Sequence, residues 1–338
     1  MHLTRTVISS RRCVYKPSRR DFLKAVPLTA LAAGCGPAPY RRGDFVVPAQ
    51  SPMAILPASS YDASLTDVIS RGLDLLRQDV RGKRVFLKPN MVEYEADTTI
   101  NTDPRVVAAA AEACLRAGAA EVVVGEGPGH RRDLEYVLEG TGLDHFLSDL
   151  KVRFVDLNHD DVREVPLKSH FTRLETLWLP TSLLQADFVV SMPKLKTHHW
   201  AGLTVSMKNL FGTVPGAVYG WPKNLLHVRG IDNSIVDIAA TVKPHFTIVD
   251  AIVAMEGDGP IMGRPRTMGF LAMGSDLPAV DATCARIIGL DPAKIPYLSM
   301  AGGFLGNTRE KNIEQRGEKL SRYQTQFDVI EPIKRLRL

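Results

Sequence analysis

Basic, amide and imidazole side chains crowd into one short stretch of the chain, between residues 194 and 209. Lysine ammonium groups bind carboxylates and phosphates. Histidine can transfer a proton or ligate a metal near neutral pH. The residues of these types in the stretch are Lys194, Lys196, His198, His199, Lys208 and Asn209. The stretch therefore predicts a site for a small anionic ligand, with His198 as acid/base and Lys208 as a second catalytic group.

Four candidates lie outside this stretch. Lys88 and Asn90 follow an apolar run, Asp250 ends another, and Glu256 lies in a glycine-rich segment. We expect these residues to bind the anion or a cofactor, or to orient it. The alternative is that the lysines are ordinary surface residues and the acids form turns or helix caps.

A metal or a metal–organic cofactor is a further hypothesis. His198 and His227 are the best metal-ligand candidates, because neutral imidazole suits Zn, Ni, Cu or Fe. A metal normally takes three or more protein ligands, and the chain has no H-E-x-x-H motif. It also has no C-x-x-C pair, which argues against a Cys-ligated iron–sulfur cluster.

Short apolar runs alternate with helical segments along the chain. The first clear strand is predicted at 84–88, followed by a helix from Arg105 to about Ala117 and a strand at 121–124. Such alternation predicts an α/β fold with a mostly parallel sheet and helices on both faces. The runs at 162–166 and 176–179 predict antiparallel additions.

The N-terminus has the pattern of an export signal. Ser18 to Lys24 fits the twin-arginine motif, and Leu31 to Cys35 resembles a lipoprotein processing box. We predict a signal peptide at 1–35, recognised by the twin-arginine translocase, with a lipid anchor at Cys35 as an alternative to ordinary cleavage. The expected location is the periplasm, either free or as a membrane-anchored lipoprotein.

The rest of the chain divides into three predicted parts. Residues 36–52 are rich in Pro, Gly and Arg and predict a linker. The α/β domain is predicted at 53–330, and residues 331–338 as a solvated tail.

The basic charge of the chain resides mostly in the leader. Of 42 Lys/Arg and 37 Asp/Glu, seven basic residues and one acid fall in residues 1–34, which leaves 35 against 36. A net charge near −1 gives no basis for nucleic-acid binding.

Four blocks in order carry a resemblance to a known family. They are Lys88-Pro89-Asn90, the run from Pro193-Lys194-x-Lys196-Thr197-His198 to Met207-Lys208-Asn209-x-x-Gly212, the run from Val249-Asp250 to Met255-Glu256-Gly257-x-Gly259-Pro260, and Asp276-x-x-Ala279-Val280-Asp281. Over roughly residues 83–305 the chain resembles the domain of unknown function 362 family. The activity of that family is largely unassigned.

A fainter resemblance is to the nickel-pincer lactate racemase family. His198-x-x-x-Gly202 precedes Lys208 by the spacing of that family, and a Pro-Gly follows. The resemblance implies that His198 transfers a proton and that Lys208 anchors a pyridine-derived nickel cofactor, with His227 as the counterpart of a further histidine. The family's Ser-Gly-Gly run before the lysine is replaced here, at Thr204 to Met207.

Two functions follow as hypotheses. The first is an exported enzyme, isomerase- or oxidoreductase-like, that acts on a small anionic substrate with a metal or cofactor. The alternative is a non-catalytic extracytoplasmic lipoprotein that binds an anion or a metal.

Overall fold

The computed structural model describes residues 38–129 and 133–338. The predicted signal segment, including Cys35, lies outside these residues. Residues from Tyr40 to Leu338 form one compact unit, and the fold described below is that of this unit.

Strands β1 to β12 are numbered in chain order. Their bounds are β1 Ser51–Pro57, β2 Arg84–Pro89, β3 Glu121–Glu126, β4 Arg153–Asp156, β5 Val162–Pro166, β6 Thr176–Pro180, β7 Phe188–Met192, β8 Lys194–His198, β9 Gly202–Thr204, β10 Phe246–Asp258, β11 Met262–Gly274 and β12 Ile313–Gly317.

Most strands join one large sheet in the order β12-β1-β11-β10-β7-β2-β3-β4. The pairs from β10 through β7, β2 and β3 to β4 are parallel, as is the pair of β1 with β12. β11 runs antiparallel to both of its neighbours. β8 adds to β10 in parallel and pairs with β9 in an antiparallel hairpin. β5 and β6 form a separate antiparallel ribbon. The predicted mostly parallel sheet with antiparallel additions is confirmed.

Helices α1 to α11 are also numbered in chain order. Their bounds are α1 Leu65–Leu75, α2 Pro104–Arg116, α3 Leu134–Thr141, α4 Leu143–Asp149, α5 Thr181–Leu184, α6 Ser206–Asn209, α7 Gly216–Tyr219, α8 Asn224–Val228, α9 Ile231–Val242, α10 Leu277–Ile287 and α11 Pro296–Ala301. Five 3₁₀ segments accompany them in the described residues, at Arg42–Asp44, Leu210–Thr213, Glu310–Asn312, Leu320–Arg322 and Glu331–Leu336.

Helices cover both faces of the sheet, as the alternation of strands and helices predicts. Successive side chains of a strand point to opposite faces. In β1, Met53 and Ile55 join a core that includes α9 and α10, whereas Ala54 and Leu56 join a core that includes α1 and α2. The sheet is therefore buried between two helical layers.

Both ends of the unit pack more extensively than the sequence predicts. In the segment expected to be a linker, Tyr40 stacks on Phe304 with ring centroids 3.9 Å apart, and Ser51 already belongs to β1. In the expected solvated tail, Ile333 and Leu336 are buried in the core. The apolar side chains of these segments find partners that are distant in sequence, and this is why local composition did not indicate them.

Glycine and polar residues predict loops in two segments, the cationic stretch after β7 and the stretch around Gly257, but both are extended structure. The cationic segment after β7 is the buried hairpin β8–β9 rather than a loop. The segment from Ala254 to Asp258, expected to be turn-rich, continues strand β10 in a long hairpin with β11. Polar and glycine residues weakened the strand signal in both segments.

No helix within 38–129 or 133–338 combines the length and the apolar composition needed to cross a bilayer.

Candidate active site

A cavity of about 480 Å³ opens at the carboxyl ends of β2 and β3, next to the β8–β9 hairpin. Ligands of open α/β sheets bind at this edge, and the volume suits a small organic molecule. Six of the residues predicted from the sequence line it, namely Asn90, Lys196, His198, Lys208, Asn209 and His227. Segments more than 130 residues apart in sequence therefore build one site.

A buried ion pair lies beneath the cavity. Lys88 at the end of β2 places Nζ 2.5 Å from Oε2 of Glu126 at the end of β3, and both side chains are buried. Glu126 also accepts hydrogen bonds from the backbone N–H groups of Met91 and Gly127. The charge of Lys88 is therefore engaged by Glu126, and Lys88 supports the site rather than lining the cavity.

Asn209 ties this pair to the segment that carries Lys208. Its side-chain N–H donates to the Lys88 carbonyl at 2.9 Å and to the Ser191 hydroxyl at 3.1 Å. Lys88 Nζ lies 3.3 Å from Asn209 Oδ1. These contacts fix the position of α6 relative to the strand ends.

A buried carboxylate fixes the other end of α6. Asp281 of α10 accepts hydrogen bonds from the backbone N–H groups of Ser206 and Met207 and from the Ser206 hydroxyl. Burial raises the pKa of Asp281 to about 7, although these hydrogen bonds oppose the shift. Asp281 is thus a capping residue for the helix of Lys208 and does not line the cavity.

Lys208 presents a cation to the cavity. Its Nζ lies 4.5 Å from the centroid of the Phe211 ring, and no carboxylate of the described residues forms an ion pair with it. Burial, and secondarily the charge of Lys88, lower the pKa of Lys208 to about 8. The amine is therefore poised to bind an anion or, in its neutral form, to act as a base or nucleophile.

Two further lysines line the cavity and bond only to carbonyl groups. Lys196 Nζ donates to Ile100 O at 2.7 Å, and Lys223 Nζ donates to Gly127 O and Phe211 O. Burial lowers the pKa of Lys223 to about 7 and holds that of Lys196 well below its ordinary value. The cavity wall thus carries three amines with lowered pKa values, and it also includes the Glu126 carboxylate.

His198 has a defined tautomer. Its Nδ1 accepts hydrogen bonds from the backbone N–H groups of Trp200 and Ala201, at 3.1 and 3.2 Å. Burial, and then the charge of Lys208, hold the pKa of His198 well below its ordinary value. A neutral imidazole with an accepting Nδ1 carries its proton on Nε2. His198 therefore offers the site a hydrogen-bond donor.

Aromatic rings continue the wall on the side of α8. Trp200 packs edge-on against His227 and His199, with ring centroids 5.6 and 4.7 Å apart. His227 Nδ1 lies 3.1 Å from the Lys223 carbonyl, so this nitrogen carries a proton and donates. His227 and His198 therefore expose opposite tautomers to one cavity.

Two polar atoms in the wall have no hydrogen-bond partner. Asn90 Oδ1 and Thr204 Oγ1 are buried and unsatisfied, and both residues line the cavity. Buried polar atoms are nearly always hydrogen-bonded, so this pair indicates where a ligand or an ordered water would bond.

Three predicted residues besides Lys88 lie outside the cavity. Lys194 pairs with Asp250 at 2.6 Å, and Tyr61 donates to the same carboxylate at 3.0 Å. Glu256 pairs with Arg264 on the β10–β11 hairpin at 3.0 Å. All three side chains are engaged in structural ion pairs, and none lines the cavity.

The sequence gives only a weak indication that Glu126 belongs to the site and none that Lys223 does. Glu126 lies in Gly125-Glu126-Gly127 after a strand, which was a weak but usable signal. Lys223 follows a Trp-Pro pair and has a positive φ of 69°, and no motif identified it.

The donor set does not suit a metal held by protein side chains alone. Among residues 38–129 and 133–338, no group of three or more His, Cys, Asp or Glu side chains is arranged to hold a metal ion. In the tautomer described, His198 Nε2 carries a proton and has no lone pair for a metal.

A family model described as "Domain of unknown function (DUF362)" matches residues 85–286. The chain belongs to the DUF362 family. A relative of this DUF362 chain is the thylakoid-associated protein sll1697 of Synechocystis sp. (strain ATCC 27184 / PCC 6803 / Kazusa), 34% identical over 227 residues. That alignment covers 64% of this chain and 67% of the relative.

Two solved structures are similar to the DUF362 chain at 13% sequence identity. The lactate racemase apoprotein of Thermoanaerobacterium thermosaccharolyticum gives a TM-score of 0.46 and covers 72% of this chain and 59% of that one. A protein from Thermotoga maritima gives a TM-score of 0.36 and covers 65% and 58%. The chain therefore spans less than two thirds of either solved protein.

Proposed function

We propose that the cavity binds a small anionic substrate and that the protein is an enzyme that moves a proton or a hydride on it. One observation carries the proposal: the Lys208 amine lines a cavity that also holds two unsatisfied polar atoms. A cation without an ion-pair partner beside unused hydrogen-bonding groups is suited to bind an anion.

Each residue has a role in this proposal. Lys208 binds the anionic group, and Asn90 and Thr204 bond to its remaining polar atoms. His198 donates its Nε2 proton in a hydrogen bond to a substrate oxygen, which stabilises negative charge that develops there. Lys88, Glu126 and Asn209 hold the strand ends and α6 in place for these contacts.

An organic cofactor that brings its own metal suits the cavity better than a bare ion. Lys208 would hold such a group through its amine, and His227 lies on the same wall. The cofactor would supply hydride chemistry, which no side chain of the cavity supplies. The described residues would still bind and orient the anion.

Non-catalytic binding is the second candidate, and the tautomer of His198 favours it. A histidine that carries a proton on Nε2 while Nδ1 accepts two backbone hydrogen bonds cannot take a second proton without losing them. A protein that only captures an anion needs this donor and no base.

The test is anion binding followed by exchange of substrate protons. Thermal shift and calorimetry with acetate, lactate, oxalate and phosphate should show binding that Lys208→Gln weakens at least about tenfold. Lys319→Gln, at an exposed lysine outside the cavity, is the matched control and should bind as the wild type does.

Incubation in D₂O then separates the two candidates. An enzyme that moves a proton should introduce deuterium at the carbon next to the carboxylate of lactate, one that moves a hydride should invert or oxidise lactate without such exchange, and His198→Ala should slow either reaction while keeping most of the affinity. Binding without either reaction, in protein prepared with its native cofactor content, would favour the binding protein. No binding of any anion would refute both.

We also propose export by the twin-arginine pathway and attachment to a membrane surface. The pattern from Ser18 to Lys24 supports export, and a relative described as thylakoid-associated supports membrane attachment. Fractionation of cells tests both: Arg19→Lys/Arg20→Lys should retain the protein in the cytoplasm, and Cys35→Ala should release it from the membrane.

A further inference from the structure

The mouth of the cavity differs in chemistry from its floor. Exposed apolar side chains border the opening, with Trp200 62% and Met262 77% exposed. Ile261 and Pro222 line the cavity next to them. We call these four residues the apolar rim.

The apolar surface continues onto α8. Val228 and Leu225 of this helix are 83% and 42% exposed, and the helix contacts the rim through His227 and Trp200. Soluble proteins seldom expose large apolar side chains in one contiguous group without a binding role. The floor, in contrast, holds Lys196 and Lys223, both buried.

We propose that the ligand is an amphipathic anion: a carboxylate or phosphate bound at Lys208, with an unbranched apolar tail that crosses the apolar rim. This inference rests on the proposed function and adds the substrate class. The polar, amine-bearing floor and the apolar rim line one cavity, so a single molecule can contact both. The tail shields Trp200 and Met262 from water while the head offsets the lysine charge.

The charge at the mouth favours a single amphiphile over a bilayer. Asp258 lines the cavity on the rim side and remains half exposed, with His199 3.4 Å away. A carboxylate at the opening would repel an anionic membrane surface, whereas a single tail can pass beside it.

Calorimetry with a chain-length series tests the proposal. Butyrate, hexanoate and octanoate share one head group and remain monomeric at the concentrations used. Each methylene that leaves water should raise affinity about two- to fourfold, so octanoate should bind at least about 16-fold more tightly than butyrate.

Variants separate the head from the tail. Trp200→Ser/Met262→Ser should reduce the gain in affinity to less than about 1.5-fold per methylene. Lys208→Gln should weaken every member of the series by a similar factor. Val46→Ser removes another highly exposed apolar side chain, outside this cavity. This variant should leave the gain in affinity per methylene unchanged.

The outcomes distinguish this inference from the function on which it rests. Equal affinity for butyrate and octanoate would overturn the amphipathic class and leave anion binding intact. Failure of every member and of the small anions above would overturn the proposed function itself. A third outcome is that the protein sediments with phosphatidylglycerol vesicles yet binds octanoate no more tightly than butyrate. That result would overturn the proposal and would make the apolar rim a membrane-docking surface.

Discussion

Lys88 and Glu126 form a buried ion pair that joins the ends of two parallel strands, with Nζ 2.5 Å from Oε2. Gly212 passes directly over this pair, since a Cβ at that position would lie 1.8 Å from Glu126 Oε1 and 2.5 Å from Lys88 Nζ. The pair therefore connects β2 and β3 to the segment just after Lys208. The position of the Lys208 amine therefore depends on a salt bridge of which Glu126 lines the cavity and Lys88 does not.

Glu126→Gln should destabilise the protein strongly. The substitution leaves the Lys88 ammonium buried without a counter-charge, and breaking one side of such a pair costs about 3–5 kcal/mol. Urea unfolding at pH 7 measures the loss. Glu331→Gln breaks the exposed pair with Lys334 and should cost less than about 1 kcal/mol. Similar costs for the two variants would mean that Lys88 finds another partner.

Gly212→Ala should also destabilise the protein. The added methyl group must displace Glu126 or the backbone of the Leu210–Thr213 segment, and overpacking of this kind costs about 1–3 kcal/mol. Gly129 lines the same cavity, yet a Cβ there meets nothing within 4 Å. Gly129→Ala is therefore the matched control and should unfold at the wild-type urea concentration. A stable Gly212→Ala variant would show that the segment can shift away from the pair.

The sequence predicted the sheet well because its signal is local. The apolar runs at Phe188–Met192 and Phe246–Asp250 identify buried strands, and Asp103-Pro104 identifies the start of α2. The sequence predicts a loop where the hairpin β8–β9 lies, because Lys194 and Lys196 are polar residues that interrupt the apolar pattern of a buried strand. Their burial depends on partners far away in sequence, such as Asp250.

The sequence predicts several residues that line one cavity, but it does not predict the contacts between them. Residue types placed Lys208 and His198 together, and the cavity brings both to one wall. The pairing of Lys88 with Glu126 needs the β2–β3 register, and the role of Asp281 needs α10 to pack on α6. Neither relationship is encoded by spacing along the chain, so sequence alone could not assign these roles.

Lys208→Met should stabilise the protein while weakening anion binding. The pKa of Lys208 falls from 10.5 to about 8 on folding, so the folded state disfavours its charge. At 1.36 kcal/mol per pKa unit the penalty is at most about 3 kcal/mol. Partial exposure of the side chain reduces the expected gain to about 1–2 kcal/mol.

The gain should depend on pH in a defined direction. Below pH 8 both states carry the proton, and the wild type bears the full penalty. Between pH 8 and 10.5 the folded wild type has released the Lys208 proton whereas the unfolded chain still holds it, so the free energy of unfolding of the wild type rises with pH. The stability advantage of Lys208→Met over the wild type therefore shrinks in this range. Urea unfolding at pH 7 and pH 10 measures this, with exposed Lys319→Met as control. If Lys208→Met is less stable than the wild type at pH 7, the Lys208 amine must have a counter-charge in the folded protein, contrary to this prediction.

His198 should remain neutral, with its proton on Nε2, at the pH where an ordinary histidine takes up its second proton. Burial and the charge of Lys208 hold its pKa well below the ordinary value, and two backbone N–H groups point at Nδ1. Imidazole ¹⁵N NMR, assigned by comparison with His198→Gln, reports which nitrogen is protonated. His227 is the internal contrast, because its Nδ1 donates to the Lys223 carbonyl.

This tautomer sets the pH profile of the site. Because His198 gains no charge on acidification, it should add nothing to anion affinity between pH 7 and 5.5, whereas affinity should fall above pH 8 as Lys208 loses its proton. Lys196 and Lys223 also line the cavity, and burial lowers the pKa of both, that of Lys223 to about 7, so each gains charge on acidification and Lys196→Met/Lys223→Met is needed to isolate His198. A protonated Nδ1, or an affinity that climbs tenfold on acidification in that double variant, would make His198 a base rather than a fixed donor.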